Sequence, residues 1–211
     1  EKLHKSGIVL IGTCTSVSEA KILENSGIDL ICVQGWEAGG HRGSFKSDNV
    51  PSVGGLSLLS NVSEAIKSPI IYAGGINNAK SLLASKMLGA KGFQLGSIFL
   101  CSTESNLTEA EKRKLKCTRE KDIVLSNTFS GRYARGVNNR FIEHMLKNPT
   151  HILPYPYQNK LTAELRRAAK QVNNVEFVSI WCGQSISCYP EISTKLIFEE
   201  LIAEVELIGN S

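Results

Sequence analysis

Apolar residues gather in four short runs along the first half of the chain, at 8–14, 29–35, 69–75 and 92–97. Each run is rich in Ile, Val, Leu or aromatic residues and ends on a glycine or another small residue. Runs this short, with this composition, predict buried strands. Between them the apolar spacing becomes helical. Ser16-Val17-Ser18-Glu19 is a capping-box sequence and Gly27 a terminator, which bounds a first connecting helix. A second is predicted over 56–67, and a third over 79–88 after Asn77-Asn78. Strands alternating with helices imply parallel pairing and right-handed crossovers. Near-continuous apolar content implies a sheet covered on both faces.

The second half follows another pattern. Thr108-Glu109-Ala110-Glu111 is a further capping box. A short strand is predicted over 122–127 and helices over 140–146, 161–172 and 191–208, with a Pro- and Tyr-rich ordered loop over 149–159. The expected fold class is α/β. Residues 1–105 form the second half of a (β/α)8 TIM-type barrel, and residues 106–211 a mainly helical lid or C-terminal subdomain. A complete barrel takes about 250 residues, and an open half leaves unpaired strand edges. The missing strands are therefore expected upstream in the native protein or on another chain. Glu1 is not a methionine, and 7–12 reads like a strand from mid-fold, so the chain is expected to be a fragment or one piece of a processed protein.

Composition adds bounds. The chain has 211 residues and 42% hydrophobic content, enough for one sizeable domain or one and a half. The net charge of +4 is spread out. Its densest patch, Glu111-Lys112-Arg113-Lys114-Leu115-Lys116, reads as a solvated helix face rather than a nucleic-acid site. Six cysteines at 14, 32, 101, 117, 182 and 188 show no C-x-x-C pair and no zinc spacing. Several lie in apolar runs, where free cysteine behaves as a small hydrophobe. That favours a reducing, cytoplasmic compartment. The sequence contains no signal-peptide pattern and no apolar run long enough to span a membrane. His4, His144 and His151 read as ordinary polar residues, and no metal site is expected.

Candidate chemistry sits at the strand ends. The second run enters Gln34-Gly35-Trp36-Glu37-Ala38-Gly39-Gly40-His41-Arg42-Gly43, a glycine-rich loop with one histidine. Glycines let a backbone approach a flat or anionic ligand, and histidine moves protons near neutral pH. Ala73-Gly74-Gly75-Ile76 follows the third strand and Gln94-Leu95-Gly96-Ser97 ends the fourth. Two readings are open for these glycines. They make strand-to-helix turns, or Gly74, Gly75, Gly96 and Ser97 serve a phosphate-bearing cofactor, as the last barrel loops often do. Trp181 reads as a packing residue rather than a substrate wall.

These segments resemble the nitronate monooxygenases, once called 2-nitropropane dioxygenases. So do Thr128-Phe129-Ser130-Gly131-Arg132-Tyr133-Ala134-Arg135-Gly136, Asn139-Arg140-Phe141, Pro154-Tyr155-Pro156 and Trp181-Cys182-Gly183-Gln184. The resemblance covers nearly the whole chain. It implies an FMN-dependent barrel with a lid that oxidises alkyl nitronates with O2. It implies His41 as the catalytic histidine beside the flavin, and Gln34, Gly39, Gly75, Gln94, Leu95, Gly96 and Ser97 around FMN. Ser97 stands where the family commonly has threonine, which keeps a hydroxyl. Related flavin barrels share the histidine loop, so a flavin-dependent enoyl-acyl-carrier-protein reductase is the nearest alternative. A truncated barrel that binds without catalysing is the other.

Overall fold

The four predicted strands become β1 (Ile11–Cys14), β2 (Leu30–Gln34), β4 (Ile70–Ala73) and β5 (Gly92–Gln94). All pair in parallel, in the order β1–β2–β4–β5. The structure is a computed structural model that describes residues 2–46, 50–186 and 189–209. The chain divides into two units. The first comprises Glu1–Ala38, Gly43–Leu95 and Leu201–Ser211, the second Gly39–Arg42 and Gly96–Glu200.

In the first unit, helices follow the strands as predicted. A single turn, α1 (Lys2–Lys5), precedes α2 (Val17–Asn25), α3 (Gly55–Ala65) and α4 (Ala79–Met87). Ser16 caps α2 by accepting the Glu19 N–H, but the reciprocal half of the predicted box is replaced. The Glu19 carboxylate turns away to the N–H and hydroxyl of Thr15 and the N–H of Phe45. Asn78 caps α4 in a reciprocal box with Ser81. The core is Ile31, Val33, Leu58, Leu59 and Val62, closed by Leu201. Both faces of β2 are covered, since Ile31, Cys32 and Val33 are all buried in succession. The edge strand β1 departs from that expectation: Ile11 is more than half exposed, as is Val9 just before the strand.

The second unit carries a three-stranded antiparallel sheet in the order β3–β7–β6, built from β3 (Gly40–His41), β6 (Ile123–Ser126) and β7 (Ala134–Val137). Only β6 was legible in the sequence. Helices α5 (Glu109–Lys116), α6 (Arg140–Leu146), α7 (Tyr157–Leu161) and α8 (Ala163–Gln171) follow. The last helix, α9 (Thr194–Gly209), has its residues from Leu201 onward in the first unit. The predicted 161–172 helix breaks at Thr162, whose hydroxyl donates to the Phe129 carbonyl at 2.6 Å.

Thr108 caps α5 in the predicted reciprocal box. The charge run on α5 is only partly a solvated face. Lys112 is buried and donates to the Ser102 carbonyl at 3.0 Å. Glu111 is buried too, and pairs with Lys170 at 3.1 Å. A buried charge is tolerable only when paired in this way. Leu115, Ile123, Val137, Ile180 and Cys182 form this unit's core.

Cys14, Cys32, Cys101, Cys117 and Cys182 are free thiols; Cys188 lies outside the described residues. Among the described residues, none group as metal ligands and no helix is long and apolar enough to cross a membrane. His4, expected to be an ordinary polar residue, pairs with Asp29 at 2.9 Å.

Candidate active site

In the first unit, Gln34, Ala73 and Gln94 occupy one register row at the C-terminal ends of three adjacent strands. Gly75 lies two residues beyond that row. Parallel strands with their following helices place such ends, and the loops after them, on one rim. Gln34 turns back to accept the Gly43 N–H at 2.9 Å, which closes the base of the histidine loop. Gln94 accepts the Cys32 thiol at 3.3 Å. Burial pushes the Cys32 thiol above its ordinary range, so it stays a protonated donor. Leu95 packs against the first core.

Glu37 plays a part that the sequence reading missed. Its carboxylate accepts the Tyr72 hydroxyl at 2.7 Å and the Gly55 N–H at 2.9 Å. Gly55 opens α3, whose N-cap, Gly54, has no side chain to offer. Glu37 thus supplies the negative charge that a helix N-terminus favours. Burial, then the Glu37 carboxylate, pushes the Tyr72 hydroxyl well above the usual phenol range. The available signal was Gly54-Gly55 itself, a helix start lacking any capping side chain. Gly75 stands over this carboxylate at φ +72°, and a Cβ there would lie 3.1 Å from Glu37. Its glycine therefore has a structural reason of its own.

In the second unit, the predicted residues gather at Trp181-Cys182-Gly183. Gly39 packs so closely on the Cys182–Gly183 backbone that no Cβ fits. The Gly183 N–H donates to the Ser97 hydroxyl at 2.8 Å. His41 pairs with Ala134 across the β3–β7 ladder, and the next residue's N–H reaches the Tyr133 carbonyl at 2.9 Å. The His41 ring meets Trp181 edge-on at 5.5 Å, and Trp181 in turn meets Phe129, which stacks on Phe141 at 4.6 Å. Trp181 is therefore a packing residue, and what it packs is the histidine. His41 Nε2 lies 2.8 Å from the Ser130 hydroxyl. Burial of its inner faces, then the charges of Arg132 and Arg166, lowers its pKa below the ordinary histidine value. In its neutral form an imidazole has a lone pair to accept a proton.

Ser130 is itself anchored. Gly131 adopts φ +82° with its α-carbon against the Leu153–Tyr155 backbone. Gln158 is fully buried and ties the Leu153 N–H to the Thr128 carbonyl. The Pro- and Tyr-rich loop thus serves as a brace for the Ser130 turn.

Two features fit the phosphate of the cofactor implied by the resemblance. A Cβ at Gly96 would meet nothing within 4 Å, so the backbone there is open to a ligand group that any side chain would obstruct. Ser97 accepts the Gly183 N–H through its oxygen and keeps its own proton to donate.

The nitronate monooxygenase family matches residues 1–204. Probable nitronate monooxygenases of Staphylococcus aureus strains JH9 and N315 are each 41% identical over 210 residues, covering 99% of this chain and 59% of theirs. Nitroalkane oxidase from Streptomyces ansochromogenes superposes with a TM-score of 0.91 at 32% identity, over 99% of this chain and 60% of its own. FabK from Thermotoga maritima gives 0.81 at 27%, over 100% of this chain and 65% of its own. The chain thus spans about three fifths of the length of the curated relatives it matches. Its parallel strands are part of a TIM-type barrel. A braced histidine on the glycine loop, a row of strand-end glutamines and a family match running almost end to end lead to one assignment: the chain belongs to the nitronate monooxygenase family.

Proposed function

We propose that this chain supplies the histidine-bearing part of an FMN-dependent oxidoreductase that oxidises alkyl nitronates with O2. The observation that carries the reading is His41, held by the Ser130 hydroxyl and the Trp181 ring on the loop after β2. Family membership and the likeness to a nitroalkane oxidase support the substrate class.

FMN, when bound, supplies the electron acceptor for the electron-rich carbon of the nitronate. Its phosphate is assigned to Gly96 and Ser97, whose backbone is open and whose hydroxyl can donate. Gln34, Gly39, Gly75, Gln94 and Leu95 are assigned to the cofactor's surroundings. His41 takes the α-proton from a neutral nitroalkane, or donates a hydrogen bond to nitronate oxygens. The remaining barrel strands come from a further chain segment, because four parallel strands do not close. The first unit, with the end of α9, then serves as the half-barrel and the second unit as the mainly helical subdomain, in the cytoplasm.

The test uses the complete barrel. His41→Asn slows anaerobic flavin reduction by nitroethane about 10²–10⁴-fold, and reduction by ethylnitronate, already deprotonated, much less. Equal slowing makes His41 a binding residue, and no slowing removes it from the mechanism. The FabK likeness supports one rival, an enoyl reductase. Anaerobic bleaching of the flavin by NAD(P)H would favour it.

A further inference from the structure

The hydroxyl of Ser130 has three polar neighbours. Its oxygen lies 2.9 Å from the Arg132 carbonyl, 3.2 Å from the Arg132 N–H and 2.8 Å from His41 Nε2. A serine hydroxyl owns one proton and two lone pairs. A carbonyl oxygen only accepts, so the 2.9 Å contact is attractive only if Ser130 donates its proton there. The Arg132 N–H takes one lone pair. The remaining lone pair faces His41, and a lone pair binds a ring nitrogen only if that nitrogen carries hydrogen.

We infer that Ser130 is a positioning residue that sets the tautomer of His41, with the proton on Nε2 and the lone pair on Nδ1. The proton-accepting atom of the imidazole is then Nδ1. The opposite tautomer would turn the Ser130 O–H to donate to Nε2 and leave two oxygens facing each other at 2.9 Å without a hydrogen between them. Two further features hold the arrangement. Gly131, at φ +82°, turns the chain so that Ser130 meets the backbone of Arg132. The edge of Trp181 limits rotation of the ring. The catalytic meaning of Nδ1 rests on the reading of His41 as a base, but the tautomer is measurable without it.

The experiment is long-range 1H–15N correlation on the full chain with 15N-labelled histidine, above the His41 pKa. The chain has 4 histidines, and the His41→Asn spectrum assigns the signal of interest by its loss. The expected parent spectrum shows Nε2 as pyrrole-type and Nδ1 as pyridine-type nitrogen. In Ser130→Ala the two shifts move toward averaged values, and Ser130→Thr, which keeps the hydroxyl, restores the parent pattern. A pyrrole-type Nδ1 in the parent overturns the inference, whether or not any variant folds. So does a Ser130→Ala spectrum with the parent pattern. Failure of nitroethane oxidation with the tautomer as assigned would count against the proposed function alone.

Discussion

Replacing Glu37 with alanine should destabilise the chain by about 3 kcal/mol, although Glu37 sits in the loop that carries the candidate chemistry. Its carboxylate accepts two bonds, from Tyr72 and from Gly55 at the start of α3. Hydrogen bonds to charged groups contribute roughly 1.5–3 kcal/mol each, and a buried hydroxyl left without a partner costs roughly 1–3. Tyr72 is only 3% exposed, so water does not readily replace the lost acceptor. Loss of the charge at the helix N-terminus adds about 0.3–1 kcal/mol. These contributions overlap, which is why the total stays near about 3 rather than their sum. Urea unfolding monitored by circular dichroism measures it. With a typical slope of about 2 kcal/mol/M, the midpoint falls by roughly 1.5 M at unchanged slope. Tyr72→Phe alone should cost about 1 kcal/mol, and the double variant less than the two singles added, because no orphan hydroxyl then remains. A Glu37→Ala midpoint within about 0.3 M of the parent would refute the strut role.

Three further outcomes are expected. Gly96→Val should lower FMN content in the complete barrel, because a Cβ there projects into open space assigned to the phosphate, with no protein atom within 4 Å; equal flavin occupancy would contradict the phosphate assignment. Gly75→Val is the poorer probe, since it also strains a positive φ and crowds Glu37. The lowered pKa of His41 means that its contribution to stability is complete above the ordinary histidine range near about 6.5 and is lost as pH falls through the lower native value. Arg132→Gln removes one of the two charges that lower it and should raise that native value in an NMR titration; an unchanged or lower value would show that Arg132 does not act on His41.

The four parallel strands and most caps were legible because they are local. A short apolar run closed by glycine has few other uses, and Thr108 with Glu111 carries its own hydrogen-bond geometry. The same local logic misled at Ser16-Val17-Ser18-Glu19, where Thr15 and Phe45 compete for the Glu19 carboxylate and only Phe45 is distant in sequence. It also misled on α5, where Lys112 and Glu111 are charged by sequence but buried by the partners Ser102 and Lys170. The strand pair β3–β7 had no local signal at all. Gly40-His41 shows no alternation, and two residues become a strand only because Ala134 and Arg135 arrive beside them.

Sequence alone therefore determined the βα rhythm, the glycine loop and the identity of its one histidine. Each depends on residues within a few positions of one another, where backbone sterics and hydrophobic spacing act directly. What the histidine can do was decided only by tertiary structure. Ser130 lies 89 residues from His41, and Trp181 and Arg166 come from still farther along the chain. A proton's place on an imidazole depends on which lone pair faces which nitrogen, and only the folded chain brings those atoms within 3 Å.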